Sequence, residues 1–259
     1  MKIGVMKTMK NSKVAAITLA ALLLSGCSAK PETKVDVKPN EQVASAENEV
    51  KEDEGKPPEN LVKKEYFVPL ELSSAVQSTM SGNSYPSYAN PDIISYDDLR
   101  AVNIKYYGFD DKVHEDGVLI VNKDVAEEVG DIFEELLEKK YPIQRITMID
   151  DYNADDDKSM KANNTSAFCY REIAGTDVLS NHSFGRAIDV NPLQNPQVTS
   201  KGKISPEEGR PYVDRSVNRK GMIQKGDDCY NAFVSRGWTW GGDWDSTKDY
   251  QHFEKVVNK

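Results

Sequence analysis

The sequence predicts a single α+β domain with a small antiparallel sheet and packed helices. Three features lead there: one strongly amphipathic helical stretch, several short β-branched or aromatic runs, and no repeating strand–helix–strand rhythm. No internal repeat of solenoid or propeller period is present either.

The elements follow in chain order. The start, "MKNSKVAAITLAALLLSGCSAK" from Met9, has lysines, an apolar run from Val14 to Leu24, and small residues around Cys27. This pattern predicts an export signal over residues 1–26, and the run is shorter than the roughly 20 residues a spanning helix needs. "LSGC" at Leu24–Cys27 is similar to the lipobox of bacterial lipoproteins, which makes Cys27 the expected lipidation site. Residues 27–60 carry no aromatic residue and many prolines and glutamates, so they bury too little surface to offset ordering entropy. They read as the lipidated cysteine followed by a disordered acidic tether. The remaining residues, 61–259, suffice for one domain with a sizeable core.

Within that domain, "DLRAVNIKYYGF" from Asp98 and "GVLIVN" at Gly117–Asn122 read as strands. "DVAEEVGDIFEELLEKKYP" sets Val125, Val129, Ile132, Phe133, Leu136 and Leu137 on one helical face, with Asp124 as N-cap and Pro142 past the end. "IQRITMID" at Ile143–Asp150 reads as the next strand, and "AIDVNP" as another ending at Pro192. Long polar loops are expected from Leu193 to about Gly226. After them, "DCYNAFVSRGW" reads as a short helix ended by Gly237.

The net charge is −9, which argues against nucleic acid as a partner, since such binding rests on neutralising phosphates. Cys169 and Cys229 are the domain's two cysteines, and an exported location permits a disulfide between them without requiring one.

The chemistry concentrates in two segments. "SNHSFGRAIDVNP" places His182 and Asp189 seven residues apart, with Gly185 allowing a close turn between them. Alone, that pair fits a loop salt bridge as well as a metal site. The closing "DYQHFE" adds His252 and Asp249. His182, Asp189 and His252 together supply three ligands for a tetrahedral zinc with one position open, the catalytic pattern. Asp249, three residues before a ligand, is then placed as general base. His114 lies outside both segments and reads as a loop histidine.

The pattern SxHxxGxAxD, carried by Ser180, His182, Gly185, Ala187 and Asp189, followed by WxWGGDW and DxxHFE, resembles the M15 family of zinc peptidases. The likeness also takes in "YYGFDDKVHEDGVLIVNK", "KKYPIQRITMIDDYNADDDKSM" and "NNTSAFCYR" upstream. That family includes D-alanyl-D-alanine carboxypeptidases and dipeptidases and L-alanyl-D-glutamate endopeptidases. The resemblance implies an M15/Hedgehog-like fold, one Zn2+ per domain on His182, Asp189 and His252, and Asp249 as catalytic base. It also implies peptidoglycan stem peptides as substrates.

One departure stands out. Many relatives have an oxyanion-stabilising arginine in a "GYR"-like turn, where this chain has Asn153 and aspartates. Arg171 is the nearest candidate for an oxyanion or substrate carboxylate, its alternative being a structural pair with a nearby aspartate. Ser180 and Trp240 are candidate substrate contacts; Trp238, Trp244 and Tyr170 either line the cleft or form its apolar wall.

The expected protein is therefore a lipid-anchored, exported and monomeric zinc peptidase performing metal-assisted amide hydrolysis. Two alternatives accompany it: D-Ala-D-Ala trimming against internal L-Ala-D-Glu cleavage, and a non-catalytic wall-binding lipoprotein that keeps a zinc site.

Overall fold

A computed structural model of the chain describes residues 65–256. The expected export signal, Cys27 and the whole acidic stretch to residue 60 fall outside them. Among the described residues no helix is long and apolar enough to cross a membrane.

The order of elements is β1 (Pro69–Glu71), α1 (Ser74–Met80), β2 (Leu99–Tyr107), β3 (Val113–Asn122), α2 (Ala126–Glu138), α3 (Asp156–Lys161) and β4 (Ala187–Asp189). Then come β5 (Gln197–Val198), β6 (Ile204–Ser205), α4 (Asp228–Val234), β7 (Thr239–Trp240), β8 (Lys248–Asp249) and β9 (His252–Glu254). The class is α+β, as expected. The strands form three small antiparallel sheets rather than one, in the orders β1-β2-β3, β4-β9-β7 and β6-β5-β8.

Period explains the largest elements. In β2 the buried residues Val102, Ile104 and Tyr106 alternate, so one face meets α2. On α2, Val129, Ile132, Phe133 and Leu136 return to one face and fill the same core. Phe233 of α4 meets Phe133 edge-on at 6.2 Å between centroids and stacks on Phe253 of β9 at 4.0 Å. The chain's last strand is therefore anchored in the main core.

The cap of α2 differs from expectation. Val125 holds the N-cap position without a side-chain cap, and Asp124 instead pairs with Arg186 at 2.6 Å. Asn122 Oδ1 accepts from the Asp124 N–H and shapes the turn into the helix. The short helix α4 has its cap in Asp227, whose carboxylate accepts from the Tyr230 N–H at 2.8 Å. Gly237, at φ +83°, follows it as expected.

"IQRITMID" is not a strand. Its buried apolar residues, Ile143, Ile146 and Ile149, recur every third position rather than every second, so no apolar face alternates. Backbone pairing is limited to isolated bridges, with Ile143 N–H donating to Tyr107 O and Thr165 N–H to Arg145 O, and side-chain amides take up the rest. Asn191 accepts from the Gln144 N–H and donates to Pro142 O, while Asn164 accepts from the Thr147 N–H and donates to Thr147 O. The segment then turns into a 3-10 helix at Ile149–Tyr152. Two further differences are smaller. β4 stops at Asp189, before Pro192, and the region expected to be all loop from Leu193 contains β5 and β6.

Cys169 and Cys229 are both free and buried, so the permitted disulfide is not formed. Burial pushes the Cys169 thiol up to about 12. Both behave as small apolar groups.

Candidate metal centre

Strand pairing builds the centre. In the β4–β9 pair Asp189 stands opposite His252, and Ile188 stands opposite Phe253. Because side chains alternate, Ile188 and Phe253 enter the core while Asp189 and His252 share the other face. His182 arrives from a 3-10 turn at Asn181–Phe184, which Ser180 caps through its hydroxyl. Gly185 closes that turn at φ +64°, and a Cβ there would lie 2.6 Å from the Asn122 nitrogen. Only glycine permits both the conformation and the approach.

The three side chains converge with ligand atoms within 4.8 Å of one another, and all three residues are buried. His182 Nε2 lies 3.2 Å from Asp189 Oδ2 and 3.3 Å from His252 Nδ1, and His252 Nδ1 lies 3.0 Å from Asp189 Oδ1. Two ligands about 2.1 Å from a tetrahedral ion sit roughly 3.4 Å apart, so the donor set fits a metal of zinc's size.

The imidazoles are oriented from behind. His182 Nδ1 donates to Ala167 O at 2.6 Å, which turns Nε2 toward the centre. His252 Nε2 donates to Glu254 Oε2 at 3.1 Å, which turns Nδ1 inward. Glu254 Oε2 also accepts from Asn181 Nδ2 at 2.6 Å, tying together the neighbours of both histidines. The roles of Glu254 and Asn181 were not foreseen from sequence, although both lie inside the two motif segments.

Electrostatics follow from this packing. Burial alone would raise the Asp189 carboxyl, but His182 and His252 outweigh it and hold the group far below its usual range. For His252 burial is again opposed, here by Asp189 and Glu254, and the ring is raised to about 10. The metal-free site therefore holds a proton on His252 that a cation must displace.

Asp249 sits beside this group on β8. Burial chiefly, with the charge of Asp189, raises it from 3.8 to about 6, against the pull of His252, Gln197 and Gln251. Its Oδ2 accepts from Gln197 Nε2 at 2.7 Å, and its Oδ1 is buried with no partner. A buried acid poised near neutrality with one unengaged oxygen suits general base work.

Arg171 is brought to the same region. Ser183 Oγ accepts from its N–H and donates to its carbonyl, fixing the backbone against the His182 turn. Its guanidinium pairs with Asp156 at 2.9 Å, while Nε is buried without a partner. Burial opposes its charge, but the carboxylates led by Asp156, with Asp189 and Asp249, outweigh it and raise its pKa. Both readings of Arg171 thus meet in one side chain, paired structurally on one nitrogen and unengaged on another.

The remaining candidates lie elsewhere. Trp240 is 5% exposed, donates its indole N–H to Tyr250 O and packs on Phe253, so it is a core residue rather than a substrate contact. Trp244 is the tryptophan beside the centre, 5.5 Å from the His252 ring. Trp238 is buried with its N–H near Glu128, and Tyr170 packs in a second core cluster. Ser180 is buried and serves the turn. His114, in β3 rather than a loop, pairs with Asp110 and stacks on Tyr106.

A buried two-histidine, one-carboxylate group with a further acid beside it defines a candidate hydrolytic metal site on an α+β domain. Residues 174–255 match the M15 peptidase family model described as D-alanyl-D-alanine carboxypeptidase, which supports an M15-family peptidase. The match includes His182, Asp189, Asp249 and His252; Arg171 and the upstream segments of the resemblance lie outside it. No curated protein and no solved structure matches the chain.

Proposed function

We propose that this chain is a zinc-dependent peptidase of M15/Hedgehog-like fold that hydrolyses amide bonds in peptidoglycan stem peptides, with D-Ala-D-Ala carboxypeptidase action preferred. The observation that carries this reading is Asp249, a buried carboxyl raised to about 6 beside a buried His-Asp-His group, with Oδ1 unpartnered. The description of the matching family favours the carboxypeptidase over the endopeptidase reading.

When bound, zinc supplies Lewis acidity that polarises an amide carbonyl and acidifies water. His182, Asp189 and His252 hold the ion. Asp249 Oδ1 takes a proton from the attacking water and passes it to the leaving amine. Arg171 offers its unengaged Nε–H to the oxygen on which negative charge develops. The lipobox-like Cys27 and the acidic stretch after it fit a monomeric domain tethered outside the cell membrane, within reach of the wall polymer.

The test is digestion of two synthetic stem peptides, one ending in D-Ala-D-Ala and one offering only an internal L-Ala-D-Glu bond, with wild type and Asp249→Ala. The proposal expects cleavage of the first peptide by wild type, and a variant that retains zinc but is inactive. A zinc-loaded wild type inert on both peptides would leave the non-catalytic wall-binding reading instead.

A further inference from the structure

We propose that Gln197 is the positioning residue of the catalytic carboxylate, holding Asp249 so that Oδ1 alone is free to accept a proton. This rests on the reading of Asp249 as the base.

Asp249 lies on β8, a strand of two residues that cannot define a side-chain direction unaided. β5 supplies the missing support. In the antiparallel β5–β8 pair Gln197 stands directly opposite Asp249, and Val198 stands opposite Lys248. On its other edge β5 pairs with β6, placing Gln197 opposite Ser205 and Val198 opposite the buried Ile204. Gln197 is thus the middle residue of a three-strand row, with its amide at 2.7 Å from Asp249 Oδ2.

A carboxylate has two equivalent oxygens, and a donor fixed on one sets the plane of the group and the direction of the other. Here the other oxygen is buried and unpartnered. Such an atom costs stability, so its retention points to function rather than to folding. Gln251 is the other amide that acts on Asp249, and it draws the carboxyl down less than Gln197 does, its nitrogen being shared with Met160 Sδ at 3.6 Å. The choice of a neutral donor matters too. An arginine or lysine opposite Asp249 would orient it equally well but would hold its proton affinity down, which a base cannot tolerate.

The opposite side is closed by backbone. A Cβ on Gly241 would lie 2.5 Å from Asp249 O and 2.8 Å from its Cβ, so β8 is pressed against a position that only glycine can fill. Asp249 is held between the Gly241 backbone and the Gln197 amide.

Gln197→Met keeps the side-chain length and removes the donor; Gln197→Glu keeps the shape and replaces the donor with a charge. Both are compared with wild type and Asp249→Asn as full-length, zinc-loaded proteins on a synthetic peptide ending in D-Ala-D-Ala. Expected for both Gln197 variants is a fall in kcat of about 10- to 100-fold, with KM and zinc stoichiometry unchanged. A residue that merely packs would leave kcat per bound zinc at the wild-type value in both variants, whatever the thermal midpoint does. Wild-type kcat in both Gln197 variants beside an inactive Asp249→Asn overturns this inference and leaves the base intact. An active Asp249→Asn overturns both.

Discussion

Asp189 and His252 stand directly opposite one another across the β4–β9 pair, with Asp189 Oδ1 3.0 Å from His252 Nδ1. The residues are 63 positions apart in the chain, so the centre exists only when the final strand has docked. Phe253, between His252 and Glu254, drives that docking by stacking on Phe233. Packing and chemistry are thus opposite faces of one three-residue strand.

Removing either partner should therefore abolish metal binding without unfolding the rest of the domain. Asp189→Asn and His252→Ala are expected to drop zinc content from one equivalent to near zero, read by metal analysis after dialysis. Far-UV circular dichroism should stay close to wild type, because Ile188 and Phe253, on the opposite face of the same two strands, still hold β4 and β9 in the main core. Zinc retained at one equivalent in both variants would remove these residues from the ligand set.

Glu254 acts on the metal through His252. Glu254→Gln leaves an isosteric group that still reaches His252 but no longer draws on the ring as an anion. Loss of such a partner lowers metal affinity by about 10- to 100-fold. Competition against a chromophoric chelator measures this directly, and Asn181→Ala should shift affinity the same way by a smaller factor. An unchanged affinity in Glu254→Gln would reduce its role to a surface contact.

Much of this centre was legible because histidine is scarce and its spacing is local. His182, Asp189, Asp249 and His252 stand in two short segments, and the structure brings those segments together by strand pairing. What was not legible depends on side chains meeting across long stretches. Gln197 lies in a region with no period and no motif, and only the β5–β8 register sets it opposite Asp249. Trp240 and Trp244 are four residues apart in one aromatic run, and nothing in that run tells which enters the core. The expected strand at Ile143–Asp150 failed on its period, where a count of every third residue would have excluded it.

Turnover should depend on the protonation of Asp249. The base form is the carboxylate, so activity rises with pH as the group loses its proton. In the metal-free site that step lies at about 6. A bound dication favours the carboxylate and moves the step lower, so kcat should rise with pH through an apparent pKa at or below about 6. A kcat profile from pH 4.5 to 8 on zinc-saturated protein checks this, and an acidic limb centred well above 6 would assign the base to another group.

Asp249→Asn should stabilise the metal-free fold while it stops the reaction. Burial raises the folded pKa of Asp249 above its ordinary 3.8, to about 6, so folding favours the protonated form. The associated stability is fully present below 3.8 and is lost as pH rises through about 6. Asparagine cannot ionise and escapes that loss. The variant's advantage over wild type should therefore be small near pH 4, grow through pH 6 and level off near pH 7. A shift of this size corresponds to about 3 kcal/mol. Urea unfolding of both metal-free proteins at pH 4, 5, 6 and 7 reads that difference. A difference that stays constant over this range would mean that Asp249 ionises in the fold as it does in the unfolded chain.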